Sequence, residues 1–108
     1  MTETSHNLII NSLEELKAVD TKILSLRDIS SFTDIMIITS GTSSRHMSAI
    51  SDKIQENLKE KSIAIISVEG KGSSEWVLLD LGDIVVNIMS KSARELYDLE
   101  SLWDPDLL

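Results

Sequence analysis

Apolar positions recur along this chain with two different periods, and each change of period marks a new element. Over residues 7–18, Leu8, Ile9, Leu13 and Leu16 fall at helical spacing with Glu14, Glu15 and Lys17 on the other side. That pattern predicts an amphipathic helix covering a sheet. Asp20 and Thr21 are expected to end it, and Ile23, Leu24 and Leu26 to form a first strand. A polar break at Asp28-Ile29-Ser30-Ser31 precedes residues 34–39, where the unbroken run Ile35-Met36-Ile37-Ile38 reads as a central strand buried on both faces.

The period then lengthens. Met47, Ile50, Ile54 and Leu58 recur at three- and four-residue steps over residues 45–61, while Lys53, Glu56, Lys59 and Glu60 lie elsewhere, so a long helix is predicted with Thr42 or Ser43 as its N-cap. The β-branched residues 63–68 predict another strand, and this strand-helix-strand unit is expected to cross over right-handedly into parallel pairing. Residues 70–89 predict a β-hairpin. Trp76-Val77-Leu78-Leu79 and Ile84-Val85-Val86, continued by Ile88 and Met89, flank Asp80-Leu81-Gly82-Asp83, in which Gly82 takes φ > 0 without steric cost. Ser92-Ala93-Arg94-Glu95 matches a capping box and opens a last helix through Leu96, Tyr97, Leu99, Leu102 and Trp103, closed by Pro105. These elements make one α/β domain over residues 1–108, a mixed sheet of about five strands flanked by three helices. The pattern carries no strand order.

Composition narrows what such a domain does. A chain of 108 residues buries a sizeable core without staples, and with no Cys it has neither a disulfide framework, nor thiolate metal sites, nor a thiol nucleophile. The N-terminal stretch has no basic segment and no long apolar run, so a soluble intracellular protein without a membrane span is expected. Eighteen acidic side chains against 10 basic ones give a net charge of -8, and the Lys and Arg residues are scattered. Direct binding to nucleic-acid phosphates is disfavoured, whereas a basic protein partner is suited to this charge. Solubility alone also accounts for an acidic surface.

Candidate chemistry is sparse. Ser40-Gly41-Thr42-Ser43-Ser44-Arg45 places a glycine and hydroxyls between a strand and a helix start, where free N–H groups hold phosphate, but the spacing is that of neither a Walker loop nor a dinucleotide fingerprint. The match is loose, and an ordinary capped turn is the preferred reading, since a helix start favours Ser and Thr. Asp80 and Asp83 are the nearest carboxylates for a magnesium-dependent nucleotidyl transfer, yet they flank a turn, where acids commonly sit. His6 and His46 form no metal-ligand spacing, and a Ser43, His46 and Asp52 triad lacks a group to orient its base. Tyr97 and Trp103 are expected to pack on the sheet. Trp76 either packs likewise or projects as a partner anchor.

The order of these pieces resembles the Iojap family of ribosomal silencing factors (RsfS). The likeness is carried by Asp34-Ile35-Met36-Ile37-Ile38 before Gly41-Thr42-Ser43-Ser44-Arg45-His46; by Glu69-Gly70; by Glu75-Trp76-Val77-Leu78-Leu79-Asp80 with Leu81-Gly82-Asp83; and by Arg94, Leu96-Tyr97, Leu99-Glu100 and Leu102-Trp103. The family usually has Tyr-Phe where this chain has Ile35-Met36, and His where it has Asn87, a residue that binds but transfers no proton. The resemblance implies a nucleotidyltransferase-like fold without catalytic residues, metal ligands or cofactor. It further implies a cytoplasmic factor that binds ribosomal protein L-fourteen on the large subunit, blocks subunit joining when nutrients are scarce, and is a homodimer when free. The contact residues implied are Trp76, Leu78, Leu79, Asp80, Asp83 and Asn87. Two rivals remain: a nucleotide-binding or nucleotidyl-transferring enzyme using the Gly41 loop, and a module whose exposed sheet serves only self-association.

Overall fold

The computed structural model of the chain describes residues 2–73 and 75–103. Along them run α1 (Thr2–Glu15), β1 (Val19–Ser25), β2 (Ile35–Ser40), α2 (Ser44–Glu60), β3 (Ser67–Glu69), β4 (Trp76–Asp80), β5 (Ile84–Met89), α3 (Lys91–Tyr97) and α4 (Leu99–Trp103). The strands form one mixed sheet in the order β1-β2-β5-β4-β3. The expected α/β domain with a five-stranded sheet is therefore the fold observed, and the hairpin pairs as read, Trp76 facing Met89 and Asp80 facing Val85.

Two cores of unequal size lie on the two faces of the sheet. On one, α1 and α2 close over Ile37, Val77, Leu79, Ile84, Val86 and Ile88, and the predicted helix stripe Met47, Ile50, Ile54 and Leu58 is buried in full. On the other, only the short α3 and α4 lie over Leu24, Ile38 and Met89, contributing Ala93 and Leu99. So the second face is incompletely covered.

Several expectations are corrected. The first helix spans Thr2–Glu15, and Asp20 and Thr21 belong to β1. Lys17 ends the helix, at φ 57, with its N–H donating to Glu14 O and that of Ala18 to Leu13 O. This is a Schellman closure built on a residue other than glycine. Ser62, at φ 56, closes α2 in the same way, its N–H donating to Lys59 O and that of Ile63 to Leu58 O. The chain beyond it reaches the sheet late, so the strand expected over residues 63–68 is only Ser67–Glu69. Nor does that strand pair in parallel with β2. It lies antiparallel to β4 at the far edge, and the parallel partner of β2 is β5, with Ile37 opposite Val86.

The last helix starts earlier than the capping-box pattern placed it. Ser90, not Ser92, is the N-cap, its Oγ accepting from Ala93 N–H at 3.1 Å. It also breaks in two, because Asp98 adopts left-handed backbone (φ 46, ψ 51) between α3 and α4. The expected closure by Pro105 and the packing of the Trp103 ring lie outside the described residues.

Candidate interface

Strand alternation decides which hairpin side chains are available. Along β4, Val77 and Leu79 point into the main core, whereas Trp76, Leu78 and Asp80 lie on the other face, half-buried. Register puts Met89, Asn87 and Val85 of β5 beside these three in turn, and Glu69 of β3 opposite Leu78 on its other flank. Of the six side chains expected at a contact, Trp76, Leu78, Asp80 and Asp83 keep accessible surface, while Leu79 is 0% and Asn87 1% exposed. Leu79 is a core residue and offers a partner nothing. Asn87 can act on a partner only through a neighbour.

That neighbour is Trp76. Its indole N–H donates to Asn87 Oδ1 at 2.9 Å, across the β4–β5 pair and eleven positions along the chain. The Tyr97 ring lies against it, centroids 5.2 Å apart and planes tilted by 44°, a separation at which aromatic pairs attract. Tyr97 thus packs on the sheet through this ring while remaining 49% exposed, and it shields the indole from one side. Asn87 Nδ2 is buried without a hydrogen-bond partner among the described residues, so the indole is the amide's one tie. Trp76 is therefore neither sealed in the core nor free: it is a held, half-open ring.

The short helices over this face expose further apolar side chains. Leu96 and Leu102, on either side of the Asp98 break, are 77% and 64% exposed. Carboxylates border the strand: Glu69 and Glu75 are exposed, and Asp80 accepts from Gly82 N–H at 2.8 Å to brace the hairpin turn. An apolar strip edged with negative charge fits a positively charged protein surface.

The Gly41 loop has a different explanation. A Cβ at Gly41 would lie 2.6 Å from Met47 Cγ, so glycine here lets α2 start hard against the end of β2. Ser43 is the N-cap, its Oγ accepting from His46 N–H at 3.0 Å. The His46 ring is fully engaged: Nδ1 accepts from Thr42 N–H at 2.9 Å, which leaves the proton on Nε2 to donate to Leu16 O at 2.6 Å. His46 is thus a strap from the α2 start to the end of α1, and with Asp52 exposed on α2 no triad assembles.

Where β2 and β5 feed helices on opposite faces lies a cavity of about 990 Å³. In open α/β sheets ligands favour such crevices. This one is lined by Asp20, Glu95, Asp98 and Glu100 against only Lys91 and Arg94. Arg94 is already spent, its Nε on Glu100 Oε1 at 2.5 Å and its Nη1 on Ser40 Oγ at 3.2 Å. With Glu100 paired to Arg94, Asp20, Glu95 and Asp98 outnumber Lys91, a lining that disfavours a bare phosphate.

A family model described as "Ribosomal silencing factor during starvation" matches residues 2–106. The chain belongs to the RsfS family. Among its relatives, the ribosomal silencing factor RsfS of Haemophilus influenzae is 41% identical over 95 residues, 88% of this chain and 93% of that protein. A mouse protein named "Mitochondrial assembly of ribosomal large subunit protein 1" is 32% identical over 100 residues, covering 90% of this chain and 44% of its own length. A crystal structure of a Chromobacterium violaceum protein superposes with a TM-score of 0.90 at 38% identity, covering 94% of this chain and 84% of that one. No helix among the described residues is long and apolar enough to cross a membrane.

What sequence reasoning missed here is the pairing of Trp76 with Asn87 and Tyr97, since only strand register and the Asp98 break bring the three together. It also missed Phe32, which stands in a loop and is 86% exposed.

Proposed function

We propose that this chain silences ribosomes by occupying ribosomal protein L-fourteen on the large subunit through its Trp76 face, in the cytoplasm, so that the small subunit is physically kept from joining when nutrients are scarce. Family membership supports a ribosomal role, and the printed name of the mouse relative points to the large subunit. The observation that carries the choice of surface is the half-open Trp76 ring, held by Asn87 and Tyr97, on the sheet face whose short helices also expose Leu96 and Leu102. Leu78, Asp80 and Asp83 complete the contact. Exclusion of a subunit needs no bond-making step, and among the described residues no three carboxylates or histidines gather where they could hold the magnesium that the nucleotidyl-transfer rival requires. Free in solution, the protein pairs with a second copy.

The test is sedimentation with purified large subunits, comparing wild type with Trp76→Ala and Leu78→Glu below their melting temperatures. Both variants are expected to remain in the supernatant. Wild-type binding by both would remove the hairpin face from its role, and magnesium-dependent nucleotide turnover by the wild type would revive the enzyme reading.

A further inference from the structure

We propose that the loop between β1 and β2 is a second anchor of the same interface, with Phe32 entering an apolar pocket on the basic ribosomal protein that the Trp76 face meets. The inference rests on the docking reading above and extends its footprint to the opposite end of the sheet. Phe32 is the only phenylalanine in the chain, and it is 86% exposed, with Ile29 beside it at 45%. Among the described residues neither core takes up that ring, although burying a phenylalanine is among the more favourable single steps in assembly.

The loop is nonetheless ordered by its own hydrogen bonds. Leu26 N–H donates to Asp34 O at 2.8 Å, and the N–H groups of Ile29 and Ser30 both donate to Leu26 O. Phe32 N–H donates to Ser30 Oγ at 3.1 Å, and the buried Thr33 hydroxyl donates to Ile35 O at 3.3 Å. A turn held in this way loses little conformational freedom when it binds, which favours an anchor.

Its position is continuous with the candidate face. The N–H groups of Asp34 and Ile35 both donate to Asp83 O, at 3.0 and 3.1 Å, which ties the loop to the hairpin turn. Trp76 starts β4 and Asp80 ends it beside that turn, about 13 Å along the strand with Leu78 between them, and the loop enters β2 two strands across, roughly a further 10 Å sideways at the usual strand spacing. A standard interface covers about 800 Å² per partner, a patch about 30 Å across, so one partner spans both. Charge agrees as well: Asp28 and Asp34 flank the loop and Asp83 lies at the turn, with Arg27 the one cation of residues 26–34. Complementarity to a basic surface therefore extends along the whole strip.

The experiment is quantitative sedimentation of Phe32→Ser and Phe32→Leu with purified large subunits, alongside Trp76→Ala, with melting curves and sedimentation velocity of the free proteins. Because the side chain is exposed, Phe32→Ser is expected to melt as wild type does while binding at least about ten-fold more weakly, as for an interface hot spot; Phe32→Leu restores most of the affinity. Unchanged binding by Phe32→Ser while Trp76→Ala is lost would overturn this inference and leave the docking face standing. Unchanged binding by both would overturn the two together. Loss of self-association alone would overturn it by assigning the ring to contact between copies.

Discussion

The bond between the Trp76 indole and Asn87 is the feature most open to direct measurement. Trp76→Phe keeps an aromatic ring against Tyr97 and the minor core but removes the N–H that satisfies Asn87 Oδ1. A neutral hydrogen bond contributes about 1 kcal/mol net, and orphaning a buried polar group costs about 1–3 kcal/mol. Asn87 is 1% exposed with Nδ2 already unpartnered, so the substitution strands the whole amide, and a loss of about 2 kcal/mol is expected. Asn87→Leu, by contrast, removes the amide and leaves the indole N–H of a half-buried ring without its acceptor. Replacing both partners by apolar groups removes the stranded amide altogether, so the double variant Trp76→Phe/Asn87→Leu is expected to be more stable than the sum of the single losses, by about 1 kcal/mol or more. Urea unfolding of the four proteins at a common slope measures this, and each kcal/mol moves the thermal midpoint by about 4–8 °C in a domain of this size. Additivity within about 0.5 kcal/mol would show that the two side chains are not coupled, and the account of a held indole would be wrong.

Two further outcomes are expected. Gly70, at φ +77, has the Trp76 carbonyl oxygen where a Cβ would go, so Gly70→Ala should cost about 1–3 kcal/mol in unfolding free energy and weaken subunit binding by displacing the start of β4; an unshifted melting curve would contradict this. Ser43→Ala removes the α2 N-cap and should cost about 1 kcal/mol, whereas Ser43→Gly should cost only a few tenths, as read by thermal melts.

Much of the fold was legible in the pattern. The stripe Met47, Ile50, Ile54 and Leu58 could only be the buried side of a helix, and all four are fully buried. The two runs either side of Gly82 paired as a hairpin, with Gly82 at φ 93. Element ends were less legible, because helix stops are usually marked by glycine and here Lys17 and Ser62 adopt the left-handed conformation instead. Two serines with similar capping potential, Ser90 and Ser92, likewise left the start of α3 ambiguous until the end of β5 fixed it.

The candidate face was half legible. Composition supplied its acidity, and the family motif drew attention to Trp76. The availability of each side chain was not, since Leu78 and Leu79 are identical in type and adjacent in sequence, yet one faces the incompletely covered side and the other the main core. What the sequence by itself determined are the local periods, which follow from 3.6 residues per helical turn and two per strand repeat, and the net charge. Only the tertiary structure decided the rest: which strand lies between which, why Asn87 reaches Trp76, and how much of one sheet face two short helices leave open. Those outcomes depend on contacts between residues far apart in the chain, and no local pattern encodes them.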